Sequence, residues 1–182
     1  MAKYYWEDLL LKIDIAHHPE KIHATVYIAP GVVVVGDVTI EEEASLWFGA
    51  IIRGDVGPIV IGRQTNIQDG CIVHTNLGQP CILGAGVSLG HGAVIHGATI
   101  EDDVMIGIRA TVLNGSRIGS GSIIAAGALV APGTIIPPKS MVMGVPGRVI
   151  RPTGEVEETR IRSTAERYCV YARKYLEEYP RS

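Results

Sequence analysis

Three histidines in the middle of the chain are the residues best suited to bind a metal ion. His91 and His96 lie five positions apart in the segment Leu89–Gly97, which otherwise holds only glycines and small or aliphatic residues, and His74 lies 17 positions before His91. Three neutral imidazoles with a fourth position left for water form an open, catalytic zinc site. The alternative is that the histidines only form hydrogen bonds at contacts between subunits. Because polar rings within an aliphatic segment need partners when they are buried, we favour a metal site.

Two short polar segments precede the histidines. Arg53-Gly54-Asp55 places opposite charges two positions apart, and Asn66-Ile67-Gln68-Asp69 contributes two amides and a carboxylate. A carboxylate next to an arginine is more often structural than catalytic. We therefore expect Arg53, Asp55 and Asp69 mainly to support a site or an interface.

A six-residue period organises the part of the chain that carries these residues. Aliphatic residues recur every sixth position in blocks that begin at Ile28, Ile61 and Leu83, and the longest uninterrupted run extends from Ile100 to Val142. The fourth position after each aliphatic residue is usually small or β-branched. This hexapeptide pattern predicts a mainly β fold, a parallel β-helix in which three units form one triangular coil of about 18 residues. A sandwich of short strands would instead require period-two alternation and hairpin turns.

The chain divides into an N-terminal segment (1–22), a hexapeptide-repeat β-helix (23–152) and a C-terminal helix (153–182). Apolar residues at helical spacing over Glu155–Glu178 predict that this helix packs alongside the β-helix. In the N-terminal segment the aromatic and leucine residues of Tyr4–Leu11 are compatible with a short helix and with an edge strand.

Interruptions of the period lie close to the histidines. Extra residues at Asp55–Pro58 and Thr75–Pro80 should leave the coils as loops. With about 18 residues in a coil, His74 and His91 should occupy similar angular positions on neighbouring coils, whereas His91 and His96 should emerge near different edges. A face of five residues spans about 15 Å, but the ligands of one ion must converge, so His91 and His96 of one chain cannot share an ion.

A cyclic trimer of parallel β-helices removes this difficulty. In such a homotrimer one edge of each subunit faces a different edge of the next, and cyclic closure produces three equivalent interfaces. We therefore expect one metal site at each interface, with two histidines from one subunit and the third from its neighbour.

Composition excludes several classes of partner. The net charge of −3 and the isoelectric point near 6.1 argue against nucleic acid, and no apolar run approaches the length that a bilayer requires, so we expect no membrane partner. The three cysteines (Cys71, Cys81, Cys169) are widely separated, which indicates neither a disulfide framework nor a cysteine zinc site. Acidic residues interrupt the N-terminus where a secretory signal would be apolar. We expect a cytoplasmic protein.

Taken together, the motifs resemble the γ-class carbonic anhydrases. They are Arg-Gly-Asp, Asn-x-Gln-Asp, a histidine five positions after that aspartate, and Gly-His-x4-His-Gly, all within hexapeptide repeats. The resemblance covers the chain from about His23 through the C-terminal helix. It implies a homotrimer of left-handed β-helices with a metal ion at each interface, held by His74 and His96 of one subunit and His91 of its neighbour. Zinc (Zn2+) is the expected ion, with Fe2+ or Co2+ as alternatives.

The resemblance also implies an activity and a set of roles. A metal-bound hydroxide would hydrate carbon dioxide reversibly to bicarbonate. Gln68 would orient the hydroxide, Asn66 lies nearby, and Tyr168 on the C-terminal helix would point towards the site. By pattern alone Tyr168 is equally a packing aromatic residue. The charged cluster that the resemblance places at the subunit boundary consists of Arg53, Asp55 and Asp69.

The sequence departs from the best-characterised members at residues that transfer protons. Those members carry one glutamate directly after the Arg-Gly-Asp aspartate and another in an acidic loop after the first histidine. Here Val56 follows Asp55, and Thr75–Pro80 contains no acid. Val170, two positions after Tyr168, stands where an asparagine can occur near the substrate. A low turnover or a different substrate is therefore compatible with the sequence.

Three other functions fit the same scaffold. A hexapeptide acyltransferase would use one histidine and an acyl-CoA without a metal, and Val142–Ile150 resembles the ending common in that group. A metal-binding trimeric assembly protein would keep the ligands but have little activity. A thioester hydrolase would use the same metal-bound hydroxide. Three convergent histidines argue against the acyltransferase, and metal content distinguishes it from the others.

Overall fold

The structure is a computed structural model that describes residues 13–178. The helix or edge strand considered for Tyr4–Leu11 lies outside the described residues. A short 3-10 helix (Pro19–Lys21) precedes the β-helix. The strands are β1 (Tyr27–Ile28), β2 (Val33–Ile40), β3 (Ser45–Leu46), β4 (Ile51–Ile61), β5 (Asn66–Ile67), β6 (Ile72–His74), β7 (Cys81–Leu83), β8 (Ser88–Leu89), β9 (Val94–His96), β10 (Thr99–Ile100), β11 (Met105–Ile106), β12 (Thr111–Val112), β13 (Arg117–Ile118), β14 (Ile123–Ile124), β15 (Leu129–Val130), β16 (Ile135–Ile136), β17 (Ser140–Met143) and β18 (Arg148–Pro152).

Successive coils stack through parallel strand pairing, which confirms the predicted parallel β-helix of hexapeptide repeats. The pairs form an 8-stranded and a 10-stranded sheet, and only the terminal pair β17–β18 is antiparallel among the described strands. In one inward column Ile67 pairs with Leu89, Leu89 with Ile106, and Ile106 with Ile124, and all four side chains are fully buried. Every coil therefore adds one aliphatic layer to a continuous core.

The two interruptions of the period behave differently. Thr75–Pro80 leaves the coil between β6 and β7, as predicted. Asp55–Pro58 does not form a separate loop but stays within the long strand β4, whose register against β2 shifts just after Gly36. A Cβ atom on Gly36 would lie 2.4 Å from the carbonyl carbon of Gly54, so two glycines keep the backbones in close contact where the extra residues enter.

A single C-terminal helix, α1 (Glu155–Glu178), packs along the 8-stranded sheet, as predicted. Glu157 accepts a hydrogen bond from the Gly154 N–H at 2.9 Å, which caps the first turn. Further along, the ring centroid of Trp47 lies 5.3 Å from that of Tyr168 and 5.2 Å from that of Tyr175. These contacts fix the position of Tyr168 on the β-helix. Within residues 13–178, no helix is both long enough and apolar enough to cross a bilayer.

Replacing Trp47 should detach this helix. Trp47 is 5% exposed, so Trp47→Ala should cost about 3 to 5 kcal/mol in the free energy of unfolding. Amide exchange in α1 should accelerate, because the aromatic contacts to Tyr168 and Tyr175 are lost. Val156→Ala, at a residue of the same helix that is 80% exposed, is the control and should change little. A loss below about 1 kcal/mol for Trp47→Ala, measured at the same protein concentration, would contradict this account of helix docking.

Candidate metal centre

Strand register brings His74 and His96 side by side. β6 pairs with β9 residue for residue, and His74 is the partner of His96 although the two are 22 positions apart. The prediction that His74 shares its angular position with His91 is wrong. The loop at Thr75–Pro80 lengthens this coil beyond the nominal repeat, so the neighbour of His91 on the preceding coil is Asp69.

The two histidines face each other through one nitrogen each. His74 Nδ1 lies 3.0 Å from His96 Nε2. The opposite nitrogens contact oxygens: His74 Nε2 lies 3.0 Å from Asp55 Oδ1, and His96 Nδ1 lies 2.8 Å from Asn114 Oδ1. Since these oxygens only accept hydrogen bonds, the nitrogens next to them carry the ring protons, and the two facing nitrogens keep their lone pairs. Two ligands of a tetrahedral zinc ion are about 3.3 Å apart, close to the observed separation.

Burial favours the neutral form of His74, against the opposing effect of the Asp55 carboxylate. Burial lowers the pKa of His74, so the imidazole is neutral at physiological pH, as a metal ligand must be. Burial alone would raise the pKa of Asp55, but the hydrogen bonds from Arg53 and His74 hold it below its ordinary value. Arg53 Nη1 donates to Asp55 Oδ2 at 2.6 Å. The Arg-Gly-Asp segment therefore acts on the histidine directly.

His91 occupies a different edge of the β-helix. It lies in the turn before β9, with its side chain half exposed, and its Nδ1 is 2.7 Å from Asp69 Oδ2. The same reasoning gives His91 a ring proton on Nδ1 and a lone pair on Nε2. Across residues 13–178, no set of three or more His, Cys, Asp or Glu side chains is grouped closely enough to hold a metal ion. A single copy of the chain thus carries the His74–His96 pair on one face and His91 at another edge.

A buried chain of amides lies beside His91. Gln68 Nε2 donates to Asn66 Oδ1 at 3.0 Å, and Asn66 Nδ2 donates to Ser88 Oγ at 2.8 Å. Gln68, His91 and Tyr168 line one cavity of about 550 Å³ between the coils and α1. Burial, and then the charge of Asp69, raise the pKa of the Tyr168 hydroxyl, which keeps it protonated at neutral pH. The structure thus brings three of the predicted site residues together, separate from the His74–His96 pair.

Sequence reasoning missed two residues of this centre, Asn114 and Gln79. Asn114 contacts His96, and its Nδ2 donates to Gln79 Oε1 at 2.9 Å. One signal was available, since Asn114 follows His96 by 18 positions, the length of one regular coil. Gln79 had none, because it lies in the irregular loop.

Comparison with known proteins places the chain in a family. The sequence profile described as "Bacterial transferase hexapeptide (six repeats)" matches residues 97–132, so the chain is a hexapeptide-repeat protein. The probable carbonic anhydrase of Methanocaldococcus jannaschii is 53% identical over 158 residues, which cover 87% of this chain and 99% of that protein. The mitochondrial gamma carbonic anhydrase 2 of Arabidopsis thaliana is 39% identical over 163 residues, or 86% of this chain and 59% of that protein. The chain belongs to the γ-class carbonic anhydrase family.

A solved structure shares the same backbone under another name. The crystal structure of a putative acetyltransferase from Bacillus cereus superposes with a TM-score of 0.83 and 37% sequence identity, covering 85% of this chain and 90% of that one. A fold of this kind therefore also occurs in a protein named as an acetyltransferase. The fold alone does not separate metal chemistry from acyl transfer, and the side chains must do so.

The cysteines take no part in the centre, and their burial predicts that they are unreactive. Cys71, Cys81 and Cys169 are all buried, and burial raises the pKa of Cys71 to about 11 and that of Cys81 to about 12. Because the thiolate is the reactive form, a thiol reagent at pH 8 should label the native protein very slowly and the unfolded protein three times. Leu77→Cys, in the exposed loop, is the positive control. Rapid labelling of one native cysteine would contradict the assignment of all three to the core.

Proposed function

We propose that this chain catalyses the reversible hydration of carbon dioxide to bicarbonate, at a divalent metal site that two copies of the chain complete together. One observation carries the proposal: each candidate histidine has one ring nitrogen next to an oxygen acceptor, at 3.0 Å for His74, 2.7 Å for His91 and 2.8 Å for His96. This is the environment of a metal-binding histidine, in which the acceptor fixes the tautomer and leaves the other nitrogen to bind. His17 and His18 also contact oxygens, but among the described histidines only His74 and His96 direct their other ring nitrogens at each other, 3.0 Å apart.

The donor set favours zinc. Three imidazoles suit Zn2+ best, and they also bind Fe2+ and Co2+. When bound, the ion supplies Lewis acidity that lowers the pKa of a coordinated water to about 7, as is established for the zinc of carbonic anhydrases. His74 and His96 of one copy and His91 of the next would hold it.

Gln68 and Tyr168 would orient the reactants. Gln68 commits its Nε2 to Asn66, and within residues 13–178 no donor contacts its Oε1. That oxygen can only accept, so it would orient an O–H group in the cavity. Asn66 Oδ1 accepts from Gln68, and Asn66 Nδ2 donates to Ser88 Oγ, so the Gln68 side chain is held at the cavity wall. Tyr168, packed on Trp47, would form the opposite wall and donate through its hydroxyl.

An exposed aliphatic row supports the homotrimer. Ile51 is the strand partner of both Val33 and Ile72, and the side chains of Val33, Ile51 and Ile72 are 48%, 38% and 41% exposed. Residues two positions apart in a strand point to the same face, so this row runs alongside Arg53 and His74. A contiguous apolar surface of this kind is usually buried against another protein. We propose that it packs against the His91 edge of the next copy, so that cyclic closure gives three equivalent sites.

Acyl transfer is the second candidate, favoured by the name of the Bacillus cereus relative and by the ending Val142–Ile150. It requires one histidine and no metal. Metal content and activity together distinguish the candidates. An acyltransferase would be fully active without a bound ion. A metal-binding assembly protein would contain the ion and hydrate little carbon dioxide.

Metal content and oligomer mass test the proposal together. Native mass spectrometry with metal quantification should find a trimer with close to one ion per chain. His91→Ala should remove the metal and reduce stopped-flow hydration to background, because every interface loses one ligand. His23→Ala is the matched control, since among the described residues its exposed ring bonds only to Thr25, through Oγ1 at 2.9 Å and the backbone N–H at 3.3 Å. A metal-free wild-type protein, or full occupancy in His91→Ala, would overturn the proposed site.

The missing glutamates predict a dependence on buffer. With valine at position 56 and no acid in Thr75–Pro80, the proton must leave through a diffusible buffer, so the hydration rate should rise with imidazole concentration. Val56→Glu should raise the rate at low buffer by about tenfold, while Val56→Gln, which has the same size but no proton to exchange, should not. A fast wild-type rate that is independent of buffer would show that another residue transfers the proton.

A further inference from the structure

We infer that Asn114 is a positioning residue for His96, and that Gln79 holds Asn114 in place across Gly97. The inference rests on the proposed function, because it concerns how His96 is prepared to bind the metal. Asn114 and Gln79 lie outside the motifs that define the family resemblance, and the contacts between them come from the loop that breaks the repeat.

Asn114 determines which nitrogen of His96 carries the proton. Its Oδ1 lies 2.8 Å from His96 Nδ1, and its Nδ2 donates to Gln79 Oε1 at 2.9 Å. With Gln79 oriented as it is here, the second contact holds the Asn114 amide, since flipping Asn114 alone would place its oxygen against Gln79 Oε1. His96 must then donate through Nδ1, which leaves Nε2 facing His74 with its lone pair. Without that acceptor the ring could take the other tautomer, which cannot bind a metal through Nε2.

Gln79 is itself held by the loop that follows His74. The Gln79 N–H donates to the Asn76 carbonyl oxygen at 2.9 Å, and Asn76 N donates back to the Gln79 carbonyl oxygen at 3.4 Å. Asn76 Nδ2 also lies 3.5 Å from Gln79 Oε1. The loop is therefore closed on itself. It links the strand that ends at His74 to the amide that orients His96, so both histidines of the pair depend on it.

Gly97 provides the space for this contact. Gly97 has a φ angle of +55°, and a Cβ atom there would lie 3.3 Å from the Gln79 carbonyl oxygen, 3.4 Å from Gln79 Cβ and 3.5 Å from Asn114 Nδ2. A side chain would thus push on both members of the contact, in a left-handed backbone conformation that favours glycine. The contact between Gln79 and Asn114 therefore explains why a glycine, and not a larger residue, directly follows His96.

The acceptor on His96 is neutral, unlike the carboxylates on the other two histidines. His74 contacts Asp55 and His91 contacts Asp69, whereas His96 contacts an amide. The position needs an oxygen, and an aspartate also supplies one. Asn114→Asp should therefore keep His96 in its binding tautomer, with the Gln79 amide rotated to donate, whereas Asn114→Leu removes the oxygen at similar volume.

The test measures zinc affinity and the site's geometry separately. On the purified oligomer, competition with a chelator should show that Asn114→Leu binds Zn2+ about 10- to 100-fold more weakly than wild type, and that Asn114→Asp restores binding to within a few-fold. The visible spectrum of the Co2+ form should change in Asn114→Leu and not in Asn114→Asp. Gln64→Leu, which removes an amide bonded to Glu43, is the control and should alter neither.

Each outcome decides a different point. Equal zinc affinity and an unchanged Co2+ spectrum in Asn114→Leu would overturn the positioning role while leaving the proposed metal site intact. Weak binding in both Asn114 variants, with normal melting of the metal-free proteins, would show that the amide and not merely an acceptor is required, and would contradict the inference as stated. A wild-type protein that binds no metal would overturn the proposed function and this inference together.

Discussion

Backbone hydrogen bonding between β6 and β9 is the constraint on which the proposed metal centre depends. Parallel pairing fixes which residues of neighbouring coils stand side by side, and here it places His74 beside His96 and, earlier on the same coils, Asp69 beside His91. A shift of one residue would send each of these side chains to the opposite face. The aliphatic core holds the register, because inward residues such as Val73 and Ile95 are fully buried partners. Packing in the core therefore determines the geometry of the surface site.

Local hydrogen bonds then give each histidine its chemical form. Three different acceptors, Asp55, Asp69 and Asn114, each occupy one ring nitrogen. Burial lowers the pKa of His74, and each acceptor holds a ring proton on the nitrogen next to it and leaves the other nitrogen for a ligand. The C-terminal helix adds Tyr168 to the cavity of Gln68 and His91, and over its described residues it forms no hydrogen bond with His74 or His96. The scaffold thus prepares two half-sites at separate edges, which is the arrangement that a shared interface would require.

The repeat made the fold predictable, and its interruptions limited what could be predicted of the site. Six-residue spacing from Ile28 to Val142 was sufficient for the β-helix, and helical spacing located α1 correctly. The same spacing misplaced His74 relative to His91, because a nominal coil of about 18 residues leaves out the residues that the loop at Thr75–Pro80 adds before the register resumes at His96. Gln79 could not be found for the same reason: its role depends on where an irregular loop folds back.

A subunit-mixing experiment tests the central claim, that each site is shared between two copies, most directly. His91→Ala and His96→Ala each damage every interface of a homotrimer, so neither protein alone should bind metal. Equal amounts of the two variants are unfolded and refolded together. Each mixed trimer then has one interface at which an intact His74–His96 face meets an intact His91 edge. Averaged over random assembly, this should restore about a quarter of the wild-type metal content. Recovery at that level, with matching hydration activity, is the predicted result. No recovery in trimers shown to be mixed, or full metal in either variant alone, would contradict the shared site.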